Sequence, residues 1–183
     1  MTDLATGLYA HGAIMAALLQ RNQTGKGQKI SCDLLSTQVS TLVNLGSNYL
    51  NGHQESGRWG TAHASIVPYQ SFKSTDGYFT IGCGNDGQFK DFCTRLQMDE
   101  LPKQAKFATN ERRVQNREQL VQIIEQKMTR KTNVQWNEIL EGAKFPYGPV
   151  NTLKQVFQDP QIQHNEMVRT MNHPTVGPIK QVS

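Results

Sequence analysis

No apolar run in this sequence approaches the ~20 residues that a membrane-spanning helix requires, so no membrane partner is expected. Cysteine is scarce. Cys32, Cys83 and Cys93 are odd in number and form no CxxC, which favours reduced thiols in an intracellular compartment. The histidines at 11, 53, 63, 164 and 173 show neither HExxH nor HxH spacing, so no metal site is expected. A basic stripe interleaved with aromatics is also lacking, and nucleic acid is not an expected partner. The formal charge of +4 is mild, with Lys and Arg scattered among acids, and is compatible with a phosphate-rich ligand. There is no GxGxxG or GK[ST], so Gly84-Asn85-Asp86-Gly87 reads as a structural turn and not a phosphate loop. Neither an internal repeat nor a low-complexity tract is present.

What is present is organised around the first 33 residues. Asp3 precedes a helix rich in small side chains, with Gly7, Ala10, Gly12, Ala13, Ala16 and Ala17. Leu4, Leu8, His11, Met15 and Leu18 recur at spacings of three and four and share one helical face. The small residues permit close approach of a neighbouring backbone. Gln23-Thr24-Gly25-Lys26-Gly27 is a turn that stops the helix near Asn22. Gln28-Lys29-Ile30-Ser31-Cys32 then reads as a short strand. Asp3 itself admits two readings. One is a first-turn acid stabilised by free backbone N–H groups and the helix dipole, which is how most such acids serve. The other is a carboxylate nucleophile held ionised by that same terminus.

The run TDLATGLYAHGAIMAALLQRNQTGKGQKISCDLL resembles the core signature of the family III CoA-transferases, the formyl-CoA and carnitine CoA-transferase group. Its features are Asp3, Gly7, Ala17-Leu18, Arg21, Thr24-Gly25 and Gly27-Gln28. The resemblance continues through Pro68-Tyr69-Gln70-Ser71-Phe72, Asp76-Gly77, Gly84-Asn85-Asp86, Asn110-Glu111-Arg112-Arg113, Trp136 and Tyr147-Gly148-Pro149-Val150-Asn151. It implies that Asp3 corresponds to the catalytic aspartate. It also implies that CoA moves between dicarboxylic acids through an aspartyl-CoA thioester. Succinyl-CoA or glutaryl-CoA would be the donor, and succinate, glutarate or hydroxymethylglutarate the acceptor. The CoA thioester is then a substrate, and no cofactor is implied. The resemblance further implies a mitochondrial location and homodimeric intact chains. Family members are much longer, with most CoA contacts lying before the aspartate. The sequence thus reads as an internal piece, expected to bind CoA poorly and turn over little by itself; no CoA-contacting residue is assigned. The polar balance, with 37% apolar residues, suits a piece whose core is completed from outside it.

Further along, Asp33 caps a second helix expected to run to about Leu50, with Leu35, Val39, Leu42 and Val43 inward and Asn51-Gly52-His53 ending it. Residues 54–65 lack periodicity. In the family this neighbourhood includes a loop that closes over the thioester; here it reads Gly57-Arg58-Trp59-Gly60-Thr61-Ala62-His63-Ala64. Arg58 is either a solvated loop arginine or a bidentate donor to a substrate carboxylate. Tyr69 to Lys73 and Tyr78 to Cys83 alternate as a hairpin around Ser74-Thr75-Asp76-Gly77. A helix follows with Phe89, Phe92, Cys93 and Leu96 inward. Another, capped by Asn110, buries Val114, Leu120, Val121, Ile124 and Met128, with Arg112, Arg113 and Arg117 mostly outside. Thr132-Asn133-Val134-Gln135 and Thr152-Leu153-Lys154-Gln155 are capping boxes, Asp159-Pro160 restarts a helix, and 167–182 reads as strands. Pro146 and Pro149 exclude a helix between them.

The expected fold is mixed α/β. Residues 1–51 belong to a Rossmann-like large domain, 52–65 to a linker, 66–145 to a small α/β domain, and 146–183 return toward the large domain. Two alternatives to CoA transfer stand: an acyl-CoA racemase of the same superfamily, and a non-catalytic fragment acting as an interaction module. Gln70 leans against the racemase, because some relatives of that kind carry an acid nearby and an amide cannot exchange a proton in its place.

Overall fold

A computed structural model describes residues 1–182. It divides into two units, Met1–Arg58 and Trp59 onward. The first holds α1 (Thr2–Thr24), α2 (Leu34–Ser40) and α3 (Asn44–Gly52). The second holds β1 (Tyr69–Lys73), β2 (Tyr78–Gly82), α4 (Asp86–Arg95), α5 (Asn110–Gln115), α6 (Arg117–Met128), α7 (Asn133–Leu140) and β3 (Tyr147–Pro149). It ends with α8 (Leu153–Gln158), α9 (Pro160–His164), β4 (Val168–His173) and β5 (Gly177–Val182). The chain is therefore mixed helix and sheet, as expected.

In the first unit α1 ends where its sequence says it should. Gly25 adopts φ 71°, the left-handed conformation that glycine takes without steric cost, and its N–H bonds to Arg21 O. α2 packs on α1. The Thr2 hydroxyl bonds to Gln38 Oε1, and Cys32 Sγ lies 3.6 Å from Thr6 O. Two expectations fail here. Residues 28–32 form no strand, since a strand requires a ladder partner and no described strand runs beside them. The helix from Asp33 does not reach Leu50 but stops at Ser40, and α3 starts afresh after Val43 at φ 46°. Ser40 and Thr41 turn their hydroxyls onto the carbonyls of Ser36 and Gln38, which competes with helix continuation. Nor does burial reward a longer helix. Leu35, Val39, Leu42 and Val43, expected inward, are all exposed, as are Leu4 and Leu8 on α1. Thr37 is the one buried residue that α1–α3 contribute.

The core lies elsewhere, between Val67 and Phe145. β1, β2 and β3 form an antiparallel sheet in that order, with Phe72 opposite Phe79 and Ser71 opposite Thr80. Alternation assigns the faces: Phe72, Phe79 and Ile81 are buried, while the Ser71 and Thr80 hydroxyls meet at 2.9 Å on the other side. Phe89, Phe92 and Cys93 of α4, Leu120, Ile124 and Met128 of α6, and Trp136 and Leu140 of α7 complete the interior. The Trp136 indole N–H finds its acceptor in Met128 O at 2.8 Å. Gly82 is dictated by close approach, because a Cβ there would lie 3.1 Å from the Tyr69 ring.

Hydrogen bonds from α4 hold the segment between α7 and β3. Arg95 donates to Glu141 O (2.8 Å) and pairs with Asp91 (2.9 Å), whose other oxygen accepts from Lys144 N–H. Partial burial raises the Asp91 pKa, but the Lys144 N–H and the Arg95 guanidinium outweigh this and lower it overall. A lowered folded pKa stabilises the fold above the unfolded value near pH 4, and that contribution vanishes as pH falls through the folded value. The melting-temperature gap between wild type and Asp91→Asn should accordingly be open at pH 7, begin to close below about pH 4 and vanish below the lowered folded value.

Two further expectations are revised. The cap of α5 is Thr109, whose hydroxyl accepts from Arg112 N–H, and not Asn110. Arg113, expected outside, has no solvent exposure at all. It lies in α5, which ends at Gln115 before the core-lining α6 begins at Arg117. Its guanidinium donates to Val67 O (2.7 Å), Phe107 O (3.1 Å) and Asp86 Oδ1 (2.8 Å), and stacks over Phe89. Cys83 and Cys93 are also interior, and burial pushes both thiols up, that of Cys93 to about 12.

The described chain ends in short pieces with no buried residue among its described residues. α8 has the expected capping box at Thr152, and α9 starts at Pro160 with Asp159 as its cap. β4 and β5 are the expected strands, and they pair antiparallel from Val168↔Val182 to His173↔Gly177.

Candidate functional site

Asp3 stands in the first turn of α1, ahead of the first helical bond, Ala5 N–H to Met1 O at 2.9 Å. The N–H groups of Thr2, Asp3 and Leu4 therefore have no partner within the helix, and they concentrate the positive end of a 23-residue dipole around this carboxylate. The N-cap, Met1, offers no side-chain acceptor in competition. Asp3 is exposed and takes no hydrogen bond from any described residue, so its oxygens are open to an incoming electrophile. The small residues Ala5, Thr6 and Gly7 follow, and a Cβ at Gly7 would meet nothing within 4 Å. Nothing in this turn blocks approach to Asp3.

Arg58 is exposed and without a hydrogen bond among the described residues, at the end of the first unit. Gln70 sits in β1 opposite Ile81. Among the described residues no group of three or more His, Cys, Asp or Glu side chains gathers to hold a metal, and no helix is long and apolar enough to cross a membrane. Three side chains escaped the sequence reading as a group: Asn110, Arg113 and Arg117 all reach the segment before β1. Their signal was faint, because the pattern of α5 and α6 assigns such residues to solvent.

An acid exposed in the first turn of a small-residue helix, followed by a glycine-closed turn, is the arrangement whose sequence resembled the CoA-transferases. The model of CoA-transferase family III matches residues 1–183, and the chain belongs to that family. It is 54% identical over 179 residues to a mouse protein named succinyl-CoA:glutarate CoA-transferase, and 51% identical to its human namesake. Each match covers 98% of this chain and 41% of the relative, so the chain spans less than half the length of these proteins. A succinate–glutarate CoA-transferase of Agrobacterium fabrum is 34% identical over 89% of the chain and 41% of its own length. Among solved structures, a CaiB/BaiF family protein from Brucella suis superposes with a TM-score of 0.78 at 37% identity, covering 97% of this chain and 50% of that one. A Mycobacterium tuberculosis protein shares the fold at a TM-score of 0.83 and 21% identity, over 98% of this chain and 46% of its own.

Proposed function

We propose that this chain carries the nucleophile-bearing part of a CoA-transferase that exchanges CoA between dicarboxylic acids, with Asp3 as the nucleophile. The observation that carries the reading is an exposed, unpartnered first-turn carboxylate in a chain more than half identical to succinyl-CoA:glutarate CoA-transferases. The donor is then succinyl-CoA or glutaryl-CoA, and the acceptor succinate, glutarate or hydroxymethylglutarate. On the same footing, residues 1–51 and 146–183 belong to a larger domain and 66–145 to a smaller one, in a homodimeric mitochondrial enzyme.

The chemistry needs one carboxylate and no redox partner. Ionised Asp3 attacks the thioester carbonyl, forming a mixed anhydride and releasing CoA thiolate. The thiolate attacks the aspartyl carbonyl, which gives an aspartyl-CoA thioester and frees the donor acid. An acceptor carboxylate attacks that thioester and again expels the thiolate. Attack of this thiolate on the acceptor-derived carbonyl then yields the new acyl-CoA and regenerates Asp3. Each addition places negative charge on a carbonyl oxygen, which the unpaired N–H groups at the start of α1 are suited to stabilise.

Incubation with glutaryl-CoA and succinate in heavy water is the direct test, made with the chain alone and with the polypeptide spanning the full length of its relatives. The expected result is succinyl-CoA formation by the longer polypeptide, without deuterium at the α-carbon. Deuteration without exchange would replace this reading with a racemase. Neither reaction in the longer polypeptide would remove both. The chain alone is expected to exchange little, since α1–α3 bury no apolar side chain of their own and hold Asp3 without a desolvated pocket.

A further inference from the structure

Between α3 and β1 the backbone changes character abruptly at Trp59. From Gln54 to Arg58 it makes almost no bonds: Gln54 N–H reaches back to Asn48 O at 3.3 Å, and the Ser56 hydroxyl reaches Gly57 O at 3.4 Å. The first only closes the end of α3, and the second stays within the stretch. From Trp59 to Val67 nearly every residue is held. The Arg117 guanidinium lies over the Trp59 ring at 5.0 Å and donates to Ala64 O at 2.6 Å. The Asn110 side chain donates to Ser65 O (2.8 Å) and accepts from Val67 N–H (3.1 Å), closing a side-chain bridge onto two strap peptides. Arg113 donates to Val67 O at 2.7 Å. On the other side, His63 N–H bonds to Tyr69 O at 2.9 Å with its ring stacked on that of Tyr69, and Thr61 Oγ1 accepts from Ser71 N–H. The Ser65 N–H closes onto His63 Nδ1 at 3.1 Å.

A segment without regular structure normally leaves its peptide groups to water and moves on the nanosecond-to-microsecond scale. Here three side chains from α5 and α6 replace water, and all three are charged or amide donors aimed at main-chain carbonyls. Partial burial lowers the pKa of Arg117, as removal from water disfavours its charged form. With the Ala64 carbonyl on one side and the Trp59 ring on the other, the cation is fixed by directed contacts rather than by solvation alone.

We propose that Trp59–Val67 is a strap fixed to the second unit by Arg117, Asn110 and Arg113, and that bending of the link between the two units is confined to Gln54–Arg58. The inference stands apart from the CoA-transfer reading and survives its failure. It makes Arg117 a positioning residue, since the guanidinium holds the strap at Trp59 and Ala64. It also places the unpaired Arg58 at the boundary between free and fixed backbone.

Hydrogen–deuterium exchange read by mass spectrometry tests this on the chain itself. Peptides over 54–58 should exchange at the rate of unstructured chain, and those over 60–67 at least about tenfold more slowly, because the amides of Ala62, His63, Ser65 and Val67 are all bonded. Arg117→Ala should erase most of the protection over 60–65 and leave 120–128, in the core, unchanged. Equal rates over 54–58 and 60–67 in the wild type would overturn the proposal, as would unchanged protection in Arg117→Ala. If Arg117→Ala also speeds 120–128, Trp59→Leu decides, because it removes only the stack and leaves the helix sequence intact. Faster exchange over 60–65 in that variant with a protected core supports the strap, and no change overturns it.

Discussion

Asp3→Asn in the full-length polypeptide should lower CoA exchange by at least about a thousandfold, because an amide cannot attack a thioester to form an anhydride. The same substitution should move the melting temperature by no more than about 2 °C. Asp3 accepts no hydrogen bond from any described residue and is exposed, so the fold loses only a favourable charge near the helix start. The combination is what distinguishes the two readings of this residue. A first-turn acid that serves the helix alone would show a small stability change and unchanged turnover. The check is exchange kinetics together with mass spectrometry for a covalent CoA adduct on residue 3. Exchange near the wild-type rate, in a sample shown free of deamidation, would end the assignment of Asp3 as nucleophile.

The largest expected loss of stability lies far from the nucleophile in sequence. Arg113→Met should destabilise the second unit by about 3–5 kcal/mol, seen as a drop of more than about 10 °C in melting temperature. Methionine approximates the length of the arginine stem but donates nothing. Val67 O and Phe107 O lose their bonds to the guanidinium in the interior, and the stack on Phe89 is lost with them. The ion pair with Asp86 contributes less, because that carboxylate is about half exposed and partly screened. Arg113→Lys should recover only a small part of the loss, since one ammonium cannot copy a planar fork that serves three acceptors. A variant that melts within about 2 °C of wild type would show that water replaces the guanidinium at these carbonyls.

Where local chemistry decides the structure, the sequence was readable. Asp33, Thr132, Thr152 and Asp159 each accept a backbone N–H at a helix start, because a short oxygen-bearing side chain there meets a donor that no helical carbonyl can reach. The β1–β2 hairpin was legible from its alternation, since both strands bury one face. Where a partner decides, the sequence misled. Residues 28–32 have the composition of a strand but no described neighbour to pair with, whereas Tyr147–Pro149 follows Pro146, ends in a proline itself, and becomes β3 because β2 presents a free edge to it. The prolines are tolerated since β3 is itself an edge, joined by Gly82 N–H to Pro146 O and Val150 N–H to Tyr78 O. Arg113 was misplaced because a periodicity argument counts charge as outward and cannot foresee three waiting acceptors. For the site, the position of Asp3 in the first turn followed from its sequence neighbours. Its lack of side-chain partners did not, because the apolar face of α1 gave reason to expect packing that the structure does not contain.

The tight turn of the β1–β2 hairpin carries one further consequence. Asp76 Oδ1 accepts both from the Ser74 hydroxyl within the turn and from Asn133 N–H at the start of α7. Thr75 N–H reaches Lys131 O, and Asn133 Nδ2 reaches Tyr78 O. A hairpin that closes over a handful of residues is thereby locked to a helix 57 residues further along the chain. Local contacts of the first kind form early in folding, while those of the second must wait for a long loop to close. With one carboxylate shared between them, neither the turn nor the helix end is fully bonded until both are in place. The hairpin and α7 thus gain their last hydrogen bonds in the same event, which couples the two ends of the core into one cooperative melting unit.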